Sequence, residues 1–276
     1  MKIEEKAIDS LEALSSAILD INGRFQGQVW WCGQGCYDWR LTTSVSRIDG
    51  GYEYEQNAIF RFMRRAPSRY PNPPDENDIL AWLFLMQHHR SPTRLLDWTE
   101  SPLFGCYFAV ESEETKEDDG ALFALCPYLL NRQQIGEYGV LSPHHEKSLL
   151  AAKKAFVKNA QDVNYVVGIL PSETHIRLMV QLSVFTLHGS GLVLDQLPDS
   201  DGYLVKFKIS HDAKPLLKEQ LKFMGVRESN LFPDLDHLAN EIRTLQFRQP
   251  PKADKESDGN GPSKFDSWRV EYGSST

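Results

Sequence analysis

Apolar positions in the first part of the chain follow helical spacing. Ile3, Ala7, Leu11, Leu14, Ile18 and Ile21 recur with Glu and Lys between them, predicting an amphipathic helix ended by Asn22-Gly23. The run 28–33 (QVWWCG) is aromatic, β-prone and bracketed by glycines, and predicts a strand opening into a turn at Gly33-Gln34-Gly35. A second helix is expected over 54–66, with Ile59, Phe60, Phe62 and Met63 apolar and Arg61, Arg64 and Arg65 forming a solvated basic face. From Ile79 to His88 the apolar residues cover a broad face, predicting a largely buried helix capped by Asp75 or Asn77 and finished by about Arg90, ahead of Pro92. Ser101-Pro102 reads as an N-cap followed by proline at the first position of a helix reaching Val110.

Later segments read as alternating strands and helices. Strands are expected at 120–127, 163–170, 177–189 and 203–209, and helices at 147–159, 212–224 and from Phe232 to Phe247. From Gln249 onward the chain is polar and rich in Pro and Gly, the composition of a flexible tail over 248–276. Strands drawn from distant parts of the chain, with helices between them, predict an α+β fold: a small split or mixed sheet with helices packed around it.

Composition narrows the classes of function. A hydrophobic content of 41% is that of a globular chain, and a net charge of −8 argues against non-specific binding to nucleic-acid phosphates. The longest apolar runs are too short to span a bilayer, and the first ten residues carry no secretory leader, so a cytoplasmic protein away from membranes is expected. Four cysteines in 276 residues do not make a disulfide framework.

Between the helices expected at 79–88 and 102–110 lies a dense polar run: Gln87, His88, His89, Arg90, Thr93, Arg94, Asp97 and Thr99. Polar groups in a turn between buried helices must pair with one another or line a cavity, because unpaired burial costs a few kcal/mol each. An Arg94–Asp97 ion pair fixing the turn is one reading, and a binding cleft is the other. A zinc site from Cys32, Cys36, His88 and His89, and a cysteine nucleophile served by His88 and Asp97, are weaker alternatives, and no resident metal is expected. No phosphate-binding loop, HExxH, GxSxG or GxGxxG pattern is present.

The run QHHRSPTRLLDWTESPLFGCYFA resembles the hallmark segment of the FRG-domain family almost residue for residue. Trp31-Cys32-Gly33-Gln34 occupies the place of the family's Phe-Arg-Gly, with Cys32 instead of arginine. Trp39, Leu41, Thr43 and Arg47, then Pro127–Asn131, Arg177–Phe185 and Phe232–Leu235 resemble further family blocks, implying an FRG domain over 28–247 behind an N-terminal helix in 1–27. The order of these blocks is similar to that of ADP-ribosyltransferases. In those enzymes a backbone glycine and an aromatic ring receive nicotinamide, and a late-strand glutamate stabilises the developing cation. That similarity implies an ADP-ribosyltransferase-like fold and a cleft for NAD or a related nucleotide. Trp31, Cys32, Gly33, Gln34, Gln87, His88, Thr93, Arg94 and Thr99 would bind it, with Gln181 and Asp97 in the catalytic positions. Ser183 and Gln181 stand where the glutamate is expected, so a non-catalytic module that binds a nucleotide or a partner protein is the competing reading. A protein acceptor and a setting in bacterial defence or toxin action belong to what the family resemblance implies.

Overall fold

The computed structural model describes residues 7–171 and 176–244. Six strands, β1 (Trp30–Gln34), β2 (Leu95–Thr99), β3 (Gly120–Leu125), β4 (Val166–Ile169), β5 (Ser183–His188) and β6 (Leu204–Ile209), form one sheet in the order β4-β5-β2-β1-β3-β6. The class is α+β, as the alternation implied. The sheet is not mixed, however, because every pairing between these strands is antiparallel. It comes close to being split. β1 and β2 share the single register pair Trp31–Thr99, whereas β1 and β3 stay in register from Trp30–Leu125 to Gln34–Ala121. Beyond Trp31–Thr99 the two strands splay, and Cys32–Gln34 face Leu96–Trp98 without register pairing.

Two helical layers cover one face of this sheet. α1 (Leu11–Phe25), α4 (Pro102–Val110) and α8 (Lys214–Phe223) bury Trp31, Leu122 and Phe207. α2 (Gly51–Arg65), α3 (Ile79–His88) and α6 (Glu146–Phe156) bury Leu95, Val167 and Phe185. The registers Trp31–Thr99 and Thr99–Ser183 carry these residues to the same face, because side chains alternate along each strand. The gap between the two helical groups therefore opens over the splay. Trp30, Leu96, Trp98, Phe123 and Val184 form the core on the opposite face.

Several local expectations need correction. The first helix begins at Leu11, capped by Ser10, while Ala7 makes a parallel bridge to Lys208 beside β6; Ile3 lies outside the described residues. Asp78, not Asp75 or Asn77, caps α3, accepting from Ala81 N at 3.1 Å, and Asp75 closes a turn on Asn77 N at 2.9 Å. Residues 95–99 are strand, not turn: apolar side chains flank Asp97 on either side, and the segment seats between β1 and β5. The strand expected over 177–189 is a short helix, α7 (Ile176–Val180), followed by β5, with the break at Leu182, which takes a φ of +49°. Past β3 the chain adds α5 (Pro127–Ile135). The last expected helix begins later, as α10 (Leu235–Thr244), with the short α9 (Glu228–Leu231) ahead of it, and 245–247 and the expected tail lie outside the described residues. Among the described residues no helix is long and apolar enough to cross a membrane.

Candidate functional site

The splay opens into a cleft of about 490 Å³. Cys32, Gly33 and Gln34 line one wall, and Leu96 to Thr99 the other. Gln87 at the end of α3 and Gln181 just before β5 close one side, and Trp39 and Phe108 contribute rings. The strands form this cleft because they diverge: two antiparallel neighbours in register would have left no room.

Asp97 is the one residue of β2 whose side chain stays open to solvent. Its Oδ2 accepts from Gln87 Nε2 at 2.5 Å, and Thr93 Oγ1 donates to Gln87 Oε1 at 2.5 Å, so Gln87 is clamped between the start of β2 and its middle. Desolvation by the cleft walls pushes the Asp97 carboxyl above its ordinary value, against the Gln87 hydrogen bond and the Arg177 charge, which hold it down. Solvent entering the mouth of the cleft moderates that push. Arg177 is itself positioned twice: Nη1 donates to His88 O at 3.4 Å, and its guanidinium lies 4.6 Å from the centre of the Phe232 ring.

Of the residues expected to bind or act, Cys32, Gly33, Gln34, Gln87, Asp97, Thr99 and Gln181 come together around this cleft. Trp31, His88, Thr93 and Arg94 do not line it. Trp31 is buried in the core with α1 and α4. His88 packs its ring on His89 at 4.8 Å. Thr93 is buried and serves Gln87. Arg94 is wholly buried and pairs with Glu55 of α2, Nη2 to Oε2 at 2.7 Å, with a further bond to Ala151 O at 3.0 Å. The Arg94–Asp97 pair does not form: Arg94 stands ahead of β2 and is engaged by Glu55 and Ala151 O, while Asp97, in the middle of the strand, accepts from Gln87.

Two of the grouped residues are also tied to structure. Gln181 donates through Nε2 to Leu231 O at 2.9 Å, and its own carbonyl accepts from Thr99 Oγ1 at 2.7 Å. Burial, with Asp97 nearby, pushes the Cys32 thiol up to about 12, so it is protonated near neutral pH and unsuited to be a nucleophile. Among the described residues no group of three or more His, Cys, Asp or Glu side chains is placed to hold a metal ion.

Sequence reasoning left out three cationic residues of the cleft: Arg47, Arg90 and Arg177. Arg47 and Arg177 each sat inside a block that resembled the family, and Arg90 inside the polar run; what was missing was the closure that brings them to one opening. Arg90 takes a φ of +59°, a left-handed conformation rare for a side chain with Cβ, and its N–H bonds back to Gln87 O at 2.9 Å.

Comparison with protein-family models gives a match to the FRG domain over residues 27–118, which runs from just before β1 to just past α4 and includes both splayed strands. Arg177, Gln181 and Ser183, which complete the cleft, lie beyond the matched span. No curated protein and no solved structure matches the chain. With the hallmark run sitting at the splay of the sheet, this chain carries an FRG domain over residues 27–118.

Proposed function

We propose that the cleft between β1 and β2 binds a nucleotide of the NAD or ADP-ribose class. The observation that carries this reading is the clustering of Arg47, Arg90 and Arg177 around an opening that also holds the rings of Trp39 and Phe108. Guanidinium groups match the oxygens of a pyrophosphate, and rings offer a stacking surface for a base or for nicotinamide. The volume falls within the range of sites for small molecules. Strand edges without a neighbour along Cys32–Gln34 and Leu96–Trp98 supply backbone groups for a carboxamide.

The test is calorimetric and thermal titration with NAD, ADP-ribose and nicotinamide. Ligand at a hundred times its dissociation constant stabilises the fold by about 2.7 kcal/mol, a clear shift in melting temperature. Arg177→Ala should weaken NAD binding roughly tenfold or more, the loss of a charge-assisted contact. No shift with NAD or ADP-ribose at millimolar concentration removes the reading.

Transfer of ADP-ribose is the second reading, and it rests on Asp97. Among the described residues that line the cleft, Asp97 alone carries a carboxylate, and Gln87 fixes it. In such a transfer the bond from ribose C1′ to nicotinamide breaks, nicotinamide leaves with the electron pair, and an acceptor nucleophile bonds to C1′. A carboxylate at this place would stabilise the cation in between. Against it, Gln181 is neutral and its amide nitrogen is engaged with Leu231. Release of nicotinamide that is lost in Asp97→Asn while NAD still binds would establish transfer; binding without release leaves a non-catalytic nucleotide module.

A further inference from the structure

A second and larger concavity, about 740 Å³, lies between α2 and the segment that follows α3, and it does not depend on the reading of the cleft. Its inner wall is apolar: Leu85 and Ala66 are buried, and Ala58 and Phe62 are partly so. Around its outer side stand Arg61, Arg65 and Arg69, all exposed. The sequence pattern alone had made this basic face a solvated one. Arg61 and Arg65 sit one turn apart on α2, about 6 Å along its axis. Arg69 follows after a single 3-10 turn, where its Nη1 donates to Arg65 O at 3.0 Å and to Ser68 Oγ at 2.8 Å, holding it beside the other two.

Among the described residues, no ion pair involves any of these three arginines, whereas Arg40, Arg94 and Arg227 each reach a carboxylate. Like charges one turn apart repel, and an anion seated among them relieves that repulsion. The apolar wall carries rings as well: His89 lies 6.4 Å from both Phe62 and Tyr70, centre to centre, and Tyr54 stands at the margin, largely exposed. An apolar, ring-bearing wall facing a row of guanidiniums that make no ion pair among the described residues suits a ligand with a planar ring at one end and a multiply charged anion at the other. A concavity of this volume, open on its outer side, takes one small molecule, which favours a single ligand over a strand or a helix of a partner.

We infer that this pocket binds a nucleoside phosphate, with the base against Phe62 and Leu85 and the phosphates on Arg61, Arg65 and Arg69. The experiment is calorimetric titration of the full chain with ATP, alongside tripolyphosphate, adenosine and a short single-stranded thymidine oligonucleotide. Saturable ATP binding is expected, with tripolyphosphate and adenosine each at least tenfold weaker. The double variant Arg61→Glu/Arg65→Glu should lose at least tenfold in ATP affinity. The milder Arg61→Gln/Arg65→Gln should lose part of it, with an unchanged circular-dichroism spectrum showing that both remain folded. Absence of saturable ATP binding overturns the proposal. So does ATP binding that survives the charge reversal and falls in Arg177→Ala, which would place the ligand in the cleft. Tripolyphosphate binding as tightly as ATP would leave an anion patch with no use for the rings, and tighter binding of the oligonucleotide would make the pocket a nucleic-acid groove; each of these also overturns it.

Discussion

Gly33 of β1 and Gly105 of α4 meet backbone to backbone: a Cβ on Gly33 would fall inside the carbonyl oxygen of Gly105 and against the amide nitrogen of Ala109. A Cβ on Gly105 would in turn reach 2.9 Å from Trp31 Cβ. The glycine of the family motif thus has a packing reason to be there, whatever else its backbone does in the cleft. Gly33→Ala must move α4 off the sheet, at a cost at the upper end of overpacking, roughly 3 kcal/mol or more. Gly23→Ala, inside α1 with nothing within 4 Å, should instead stabilise by roughly 0.5–1 kcal/mol. Denaturant unfolding of the two variants checks the contrast, and equal effects would contradict this packing.

Glu55 and Arg94 form an ion pair with both side chains fully buried, and Glu55 also accepts from the Arg94 backbone N–H at 2.9 Å. Without Glu55 the buried Arg94 keeps only Ala151 O at 3.0 Å and Asp162 Oδ1 at 3.8 Å, so Glu55→Leu should cost roughly 3–5 kcal/mol. Glu55→Leu with Arg94→Met should cost clearly less than the two single changes together, because no lone charge remains. Strict additivity in a double-mutant cycle would show that the pair is not coupled.

His188 ends a buried relay. Its Nδ1–H donates to Leu192 O at 3.3 Å, Nε2 accepts from Thr186 Oγ1 at 2.9 Å, and Trp98 Nε1 donates to that same hydroxyl at 3.0 Å. Burial, chiefly, lowers the imidazole from its ordinary 6.5 to about 4, so the fold holds it neutral. Between those values the unfolded chain binds a proton that the folded chain does not, and stability rises with pH. The contribution is complete above pH 6.5 and is lost as pH falls towards 4, by about 3 kcal/mol in all. Melting temperature followed from pH 7.5 to 4 should show this slope, and His188→Asn should flatten it. An unchanged slope in that variant would assign the acid sensitivity to other groups.

The Cys32 thiol, held near 12, should be alkylated slowly by iodoacetamide, with no rate inflection below about pH 10. Peptide mass spectrometry resolves this cysteine from Cys36. An inflection near pH 8 at Cys32 would restore the cysteine-nucleophile reading of the cleft.

Much of the fold was legible because its cause is local. Ser101-Pro102 starts α4 through a side-chain cap and a preset φ, and Pro92 stops the chain from extending α3. The apolar face of 79–88 can only be buried. Where periods compete, local reasoning failed: 177–189 holds enough alternation for a strand, yet Ile176–Val180 coils and Leu182 turns the chain into β5. Of the candidate site, the polar run identified Gln87 and Asp97, since polar groups between two apolar segments need somewhere to go.

Which polar residue meets which is not a local property. Arg94 and Asp97 looked like partners by distance along the chain; the packing of α2 and α3 on the sheet gave Arg94 to Glu55 and Asp97 to Gln87 instead. Arg177 reaches the cleft only because β5 pairs with β2, and Arg47 because its loop returns over the β1–β2 splay. Sequence periodicity and turn chemistry determined the helices and strands whose signals are local, such as α3, α4 and β3, because those depend on neighbours within a few residues. The tertiary structure alone decided the cleft, because it exists only where β1 and β2, joined at Trp31–Thr99, part company.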